Sequence, residues 1–73
     1  MEKKVFFKKL VDELELEVNE VNENSPLHLT SLRTLALMSF LDEHFELRVK
    51  AIGLKGIDSI EKLMTLIGKD KFE

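Results

Sequence analysis

The chain has 73 residues, of which 44% are hydrophobic and 34% charged, and its formal net charge is −3. This length and balance indicate a single globular domain over residues 1–73 and exclude a disordered chain. The acidic balance disfavours nucleic acid as a partner, the absence of cysteine excludes a disulfide framework, and no apolar run is long enough for membrane insertion.

The first predicted element is an amphipathic helix from about Lys3 to Leu16. Its apolar residues recur at helical spacing on one face: Phe6, Phe7, Leu10, Val11 and Leu14. Its early lysines are typical of a solvated helix face: Lys3, Lys4, Lys8 and Lys9. A loop is predicted over 17–30, where Asn, Ser and Pro favour turns. Apolar residues scattered along this loop predict that it is draped over the core.

The second predicted helix runs from about Ser31 to His44 or Phe45. Thr30 precedes it and is the expected N-cap, with its hydroxyl accepting from a free backbone N–H. Apolar residues occupy most of its circumference, which predicts a central helix buried by several neighbours.

Residues 46–56 are predicted to form a connection with a short helical turn, and the last helix is expected from about Asp58 to Ile67. Asp58 and Glu61 have capping-box spacing, and Gly68 is a typical helix terminator. The expected fold class is therefore all-α, a small bundle of three to four helices.

The order helix, long loop, helix, connector, helix, together with Leu29-Thr30-Ser31-Leu32, resembles the acyl carrier protein family. In that family a long loop leads to Asp-Ser-Leu at the start of the second helix, and the Ser carries 4′-phosphopantetheine. Ser31-Leu32 occupies that position here. The stretches 35–45, 46–49 and 57–63 are similar to the family's second helix, its extended exit and the start of its last helix.

The resemblance implies that Ser31 is modified by a phosphopantetheinyl transferase using coenzyme A, which would make the chain a phosphoprotein. It implies a monomeric, cytoplasmic, non-enzymatic carrier of acyl or aminoacyl thioesters in fatty acid, polyketide or related biosynthesis. Acyl-transferring or acyl-activating enzymes would be its partners. The residues expected to meet them are Thr30, Leu32, Arg33, Asp42 and Glu43.

Three features depart from the family pattern. Thr30 stands where the family has Asp, and the loop before it is shorter and lacks the family's Gly. The family favours acidic residues two and five positions after the Ser, where this chain has Arg33 and Ala36. These departures indicate a specialised carrier with its own enzyme set. They also support an alternative, a non-catalytic helical interaction module that keeps the fold but lacks the arm.

Ser59 is a rival modification site, because Gly56-Ile57-Asp58-Ser59 matches the family's Gly-x-Asp-Ser motif more closely. Only 14 residues follow it, however, which leaves no room for the helices that should come after the Ser. The capping-box interpretation of Asp58 accounts for this stretch without a site.

Residue types alone suggest two other interpretations. A metal site built from His28, His44, Asp42 and Glu43 matches no zinc spacing and is disfavoured. Four residues are ordinary core, the lining of an acyl-chain cavity, or both: Met38, Phe40, Phe45 and Met64. No carboxylate pair, nucleophile–base pair or phosphate loop can be placed, so no enzymatic activity is expected.

Overall fold

The computed structural model describes all residues from Met1 to Glu73. The chain forms three α-helices and two short 3₁₀ turns, and its only β-type pairing is an isolated bridge between Pro26 and Ser59. This confirms the predicted small helical bundle. None of its helices combines the length and apolar character needed to cross a bilayer. The elements are α1 (Lys3–Glu13), α2 (Ser31–Phe45), a 3₁₀ turn (Ala51–Leu54), α3 (Ile60–Ile67) and a second 3₁₀ turn (Lys69–Lys71).

Helix α1 ends at Glu13, so the predicted end at Leu16 is wrong by about one turn. Glu15 takes a left-handed conformation with φ of 51°. The Leu16 N–H donates to the Val11 carbonyl at 3.0 Å and the Glu15 N–H donates to the Asp12 carbonyl at 3.3 Å. These two bonds form a Schellman-type termination, which stops the helix while the apolar pattern continues.

Helix α2 begins and ends within the predicted bounds. The Thr30 hydroxyl accepts from the Arg33 N–H at 3.2 Å, which confirms Thr30 as the N-cap. At the other end, Glu46 takes a left-handed conformation with φ of 53°.

The predicted burial of α2 on several sides is wrong. Its fully buried residues are Leu37, Phe40 and Leu41, whereas Leu32 is 80% exposed and Leu35 63% exposed. The remaining elements of this chain are short and cover only one side of α2, so an apolar sequence on the other side stays in water.

Helix α3 starts at Ile60, later than predicted, and the capping box at Asp58 and Glu61 is wrong. Ser59 is the N-cap, and its Oγ accepts from the Lys62 N–H at 3.2 Å. The Asp58 carboxylate instead pairs with the Lys62 ammonium at 2.9 Å. Ser and Asp both cap helices well, so the sequence alone did not decide between them.

The long loop is fastened to the start of α3. The Ile60 N–H donates to the Ser25 carbonyl at 3.0 Å, and the Glu61 N–H donates to the Glu23 carbonyl at 3.0 Å. The Leu27 N–H donates to the Asp58 carbonyl at 2.9 Å, and Leu27 itself is buried. These contacts confirm that the loop is draped over the core.

The core is entirely apolar, and no polar or charged residue is buried. Phe6 lies near its centre, with ring centroids 4.7 Å from Phe72 and 5.9 Å from Phe40. The Met1 ammonium donates to the Lys71 carbonyl at 2.8 Å. The last residues therefore close the bundle against α1. The buried residues are Phe6, Leu10, Leu14, Leu27, Leu37, Phe40, Leu41, Leu54, Ile60, Leu63, Met64, Ile67 and Phe72.

Candidate functional site

Ser31 is the first residue of α2 and is exposed to solvent. The side-chain hydrogen bonds of this first turn come from the hydroxyls of Thr30 and Thr34, and the Ser31 hydroxyl takes no part in them. A free hydroxyl at a helix start lies beside unpaired N–H groups and the positive end of the helix dipole. The position is open to a modifying enzyme and favourable for an attached anion.

The rival Ser59 has a different setting. It is half-buried, and its Oγ is already engaged as the cap of α3. The next two backbone N–H groups, those of Ile60 and Glu61, are bound by loop carbonyls. A bulky group on Ser59 would break the cap and displace the loop, so the geometry favours Ser31 of the two serines.

Arg33 was expected on the partner surface, but its guanidinium makes contacts within the chain. It is half-buried, donating from Nη1 to the His28 carbonyl at 3.2 Å and from Nη2 to the Glu15 carbonyl at 3.5 Å. Arg33 thus ties the loop before Ser31 to the end of α1. The 3.2 Å bond to His28 is the shorter of the two contacts, and it links the loop to the first turn of α2.

The other expected partner-binding residues fall into two groups. Thr30 and Leu32 flank Ser31 and are exposed. Asp42 and Glu43 are also exposed but lie about 16–18 Å farther along α2 at 1.5 Å per residue. Asp42 has only Arg48 as an ionic partner, at 3.7 Å, and Arg48 is 90% exposed.

A surface groove of about 510 Å³ opens beside Thr30, between the end of α1 and the start of α2. We call it the acidic groove, because three of its lining residues are glutamates. Sequence reasoning missed these residues, although the alternation of glutamate and apolar residues from Glu13 to Val18 was a visible signal. The acidic groove is lined by Glu13, Leu14, Glu15, Glu17, His28, Thr30, Leu32, Arg33 and Ala36.

Of the residues considered for a metal site, Glu43 and His44 lie together, and their third neighbour is Glu13 instead of His28 or Asp42. The donor atoms of these three residues lie within 4.8 Å of one another, and His44 Nε2 is 3.1 Å from Glu13 Oε2. The His44 ring also packs on Phe40, with centroids 4.6 Å apart. Three such donors fall short of the four that a structural zinc takes. The His44–Glu13 contact joins α1 to α2.

The residues weighed as an acyl-cavity lining are mostly packed core. Phe40 is 1% exposed and Met64 2% exposed, and both belong to the single buried cluster. Phe45 packs on Phe6 and Phe72, with ring centroids 6.0 and 5.6 Å away. Met38 lines a shallow surface groove of about 390 Å³. The core interpretation is confirmed for Phe40 and Met64.

Lys3 is the one lysine of the early cluster that forms an ion pair. Its ammonium lies 2.6 Å from a Glu23 carboxylate oxygen, and this hydrogen bond and charge hold the pKa of Glu23 below its usual 4.5. The exposed Lys4 and Lys8 border a surface groove of about 700 Å³. This agrees with the prediction of a solvated helix face.

Fold and site together define a small three-helix protein with a free serine at the start of its longest helix. Comparison of the chain with protein-family models, with curated proteins and with solved structures finds no match.

Proposed function

We propose that this chain is an acyl carrier protein that holds acyl or aminoacyl thioesters on a 4′-phosphopantetheine arm attached to Ser31. The observation that supports this most is the setting of Ser31. An exposed serine with a free hydroxyl begins the longest helix, directly after a long loop. The order of helices and the Ser-Leu pair follow the carrier pattern described above.

The first turn of α2 presents the hydroxyl but does not activate it. No carboxylate or imidazole forms a hydrogen bond with Ser31, so the proton acceptor for its modification belongs to the transferase. The helix dipole stabilises a phosphodiester at this position by about 0.3–1 kcal/mol. The chain supplies position and electrostatics, while partner enzymes and the thiol of the arm supply the chemistry.

The proposed carrier works as a cytoplasmic monomer, with the transferase and acyl-transferring or acyl-activating enzymes as partners. Thr30 and Leu32 are the exposed neighbours of Ser31 and would meet the transferase first. Thr30 caps the helix as the family's Asp would, but it brings no carboxylate. A matching transferase should therefore recognise a neutral cap at this position.

Intact mass spectrometry of the chain isolated from its native host tests the proposal. We expect the mass to rise by one phosphopantetheine, Ser31→Ala to abolish this gain, and the matched control Ser59→Ala to retain it. A chain that stays unmodified, even with promiscuous transferases and coenzyme A, would contradict the carrier function. If Ser59→Ala loses the mass gain and Ser31→Ala keeps it, the arm is attached to Ser59 instead of Ser31.

The second candidate is a non-catalytic interaction module. It is favoured by large apolar side chains that remain in water, with Leu32, Leu35 and Ile52 between 63% and 80% exposed. Leu32 and Leu35 lie three residues apart on α2, and exposed apolar residues near one another mark surfaces that bind proteins. If the chain is an interaction module, we expect Ser31 to stay unmodified in the native host. Leu32→Ser should then abolish capture of a stable partner, whereas Ser31→Ala should not.

A further inference from the structure

Three side chains that can bind a metal ion converge from α1 and α2. Glu13 is the last residue of α1, and Glu43 and His44 lie in the last turn of α2. Two carboxylate oxygens and one imidazole nitrogen from these residues lie within 4.8 Å of one another. We call this set the Glu–His cluster. Its helices are brought together only by the fold, because Glu13 and His44 are 31 residues apart in the chain.

The spacing within the Glu–His cluster suits atoms that share one metal ion. Zinc–nitrogen and zinc–oxygen bonds are about 2.0–2.2 Å long, so two neighbouring ligand atoms lie about 2.9–3.4 Å apart. His44 Nε2 and Glu13 Oε2 are separated by 3.1 Å, which is inside that range. A hydrogen bond between these two atoms has the same length, but it leaves the Glu43 carboxylate without a partner. That carboxylate is exposed and in no salt bridge, so a change of rotamer can bring it closer.

The imidazole of the Glu–His cluster is already held in place. The His44 ring packs on Phe40 with centroids 4.6 Å apart, and its side chain is only 18% exposed. A side chain that is fixed in advance loses little conformational freedom when it binds a ligand. The imidazole also distinguishes this set from a group of carboxylates, because it suits zinc, nickel and copper, whereas magnesium and calcium take oxygen ligands.

A second observation, the charge of the two helix ends, also favours a cation. The carboxyl end of a helix carries roughly half a negative charge. Helix α1 has no basic residue in its last turn, and α2 has only His44 there. Neither Glu13 nor Glu43 pairs with a lysine or an arginine. A divalent cation therefore matches the charge of two carboxylates and two helix ends.

We infer that the Glu–His cluster binds a divalent first-row transition metal such as zinc, with water in the remaining coordination positions. Three protein ligands and a water molecule form the usual open zinc site. The bound ion joins the end of α1 to the last turn of α2 and stabilises the folded chain. His44 lies about 20 Å from Ser31 along α2 at 1.5 Å per residue, so the inference does not depend on the proposed function.

The test is a titration of the ¹⁵N-labelled chain, without a histidine tag, with zinc chloride. We expect one zinc ion per chain to shift the backbone signals of Glu13, Glu43 and His44 and the imidazole signals of His44, and a chelator to reverse the shifts. The melting temperature should rise with zinc concentration, because the ion binds the folded state. Magnesium chloride at the same concentrations should change neither observable.

Glu43→Gln and His44→Gln each remove one ligand atom. Each is expected to weaken zinc binding at least about tenfold, since even the loss of a group that only orients a ligand costs about 10–100-fold. Glu43→Gln should keep the metal-free melting temperature of the wild type, because its side chain is exposed and in no salt bridge. Lost binding in this variant is then not a loss of folding.

The matched controls are Glu61→Gln, which removes an exposed carboxylate from α3, and His28→Gln, which removes the other histidine. Both should bind zinc as the wild type does. Equal weakening in the controls and the ligand variants would overturn the inference, because the ion would then be adventitious. Zinc-induced shifts confined to other residues, an equal response to magnesium, or no response to zinc would overturn it as well.

Discussion

At the scale of single residues, the neighbours of Ser31 make the hydrogen bonds around it, while its own hydroxyl makes none. Thr30 caps the helix, and Arg33 ties the His28 and Glu15 carbonyls together, so the backbone on both sides of the serine is held. The hydroxyl itself remains free. The Arg33 charge, which the sequence offers to a partner, is thus used within the chain.

The ion pair between Lys3 and Glu23 predicts a dependence of stability on pH. The pKa of Glu23 is lowered in the folded protein from its usual 4.5, chiefly by the hydrogen bond from Lys3. A lowered folded pKa means that the contribution is present above the unfolded pKa and is lost as pH falls through the folded value.

We therefore expect Glu23→Gln to lower the free energy of unfolding slightly at neutral pH, and the difference from wild type to vanish in acid. Urea unfolding across the pH range measures this. Glu20→Gln, which removes an exposed glutamate without a salt bridge, is the control and should follow the wild type. A difference between Glu23→Gln and the wild type that persists at low pH would show that the ion pair is not its source.

At the scale of elements, the helix ends decide where the loops begin. A glutamate in the left-handed conformation follows the last turn of α1 and of α2: Glu15 and Glu46, with φ of 51° and 53°. That conformation costs a residue with a Cβ about 1–2 kcal/mol, whereas glycine adopts it freely. The apolar pattern carries no information on this termination, which is why α1 was predicted too long.

Glu46→Gly is expected to raise the free energy of unfolding by about 0.5–1 kcal/mol, since the relief of strain exceeds the extra entropy of glycine in the unfolded chain. Chemical denaturation of the variant measures this change. Glu46→Ala is the matched control, because it removes the same carboxylate but keeps the Cβ. If both variants shift stability equally, the carboxylate and not the backbone conformation is responsible.

At the scale of the whole molecule, the two chain ends hold the bundle closed. Phe72, 9% exposed, packs against Phe6 and Phe45, and the Glu73 N–H donates to the Met1 carbonyl at 3.1 Å. A domain of this length has a small core, so one buried aromatic ring at its edge is a large part of its stability.

Phe72→Ala is therefore expected to cost about 3–5 kcal/mol, a large share of the roughly 5–15 kcal/mol that stabilises a domain. Thermal unfolding followed by circular dichroism measures the loss. The neighbouring Lys71→Ala removes an exposed side chain and should change stability by less than about 0.5 kcal/mol. Equal melting temperatures for Phe72→Ala and the wild type would mean that the tail does not close the bundle.

The sequence by itself determined the helical class, the three α-helices, the start of α2, its cap and the draped loop. Helical periodicity and cap chemistry are local signals, readable within a few residues. Ser31 became the candidate residue through the resemblance to the acyl carrier protein family and not through these local signals, and the carrier function attached to it remains a prediction.

Tertiary structure alone decided the remaining features. Ser59 became the N-cap of α3 because loop carbonyls bind the N–H groups of Ile60 and Glu61, the two residues that follow it. One side of α2 stayed exposed because no element covers it, and Arg33 turned inward because His28 and Glu15 lie within its reach. Glutamates at the end of α1 came to lie beside the start of α2. Each outcome depends on contacts between residues distant in sequence, which periodicity does not record.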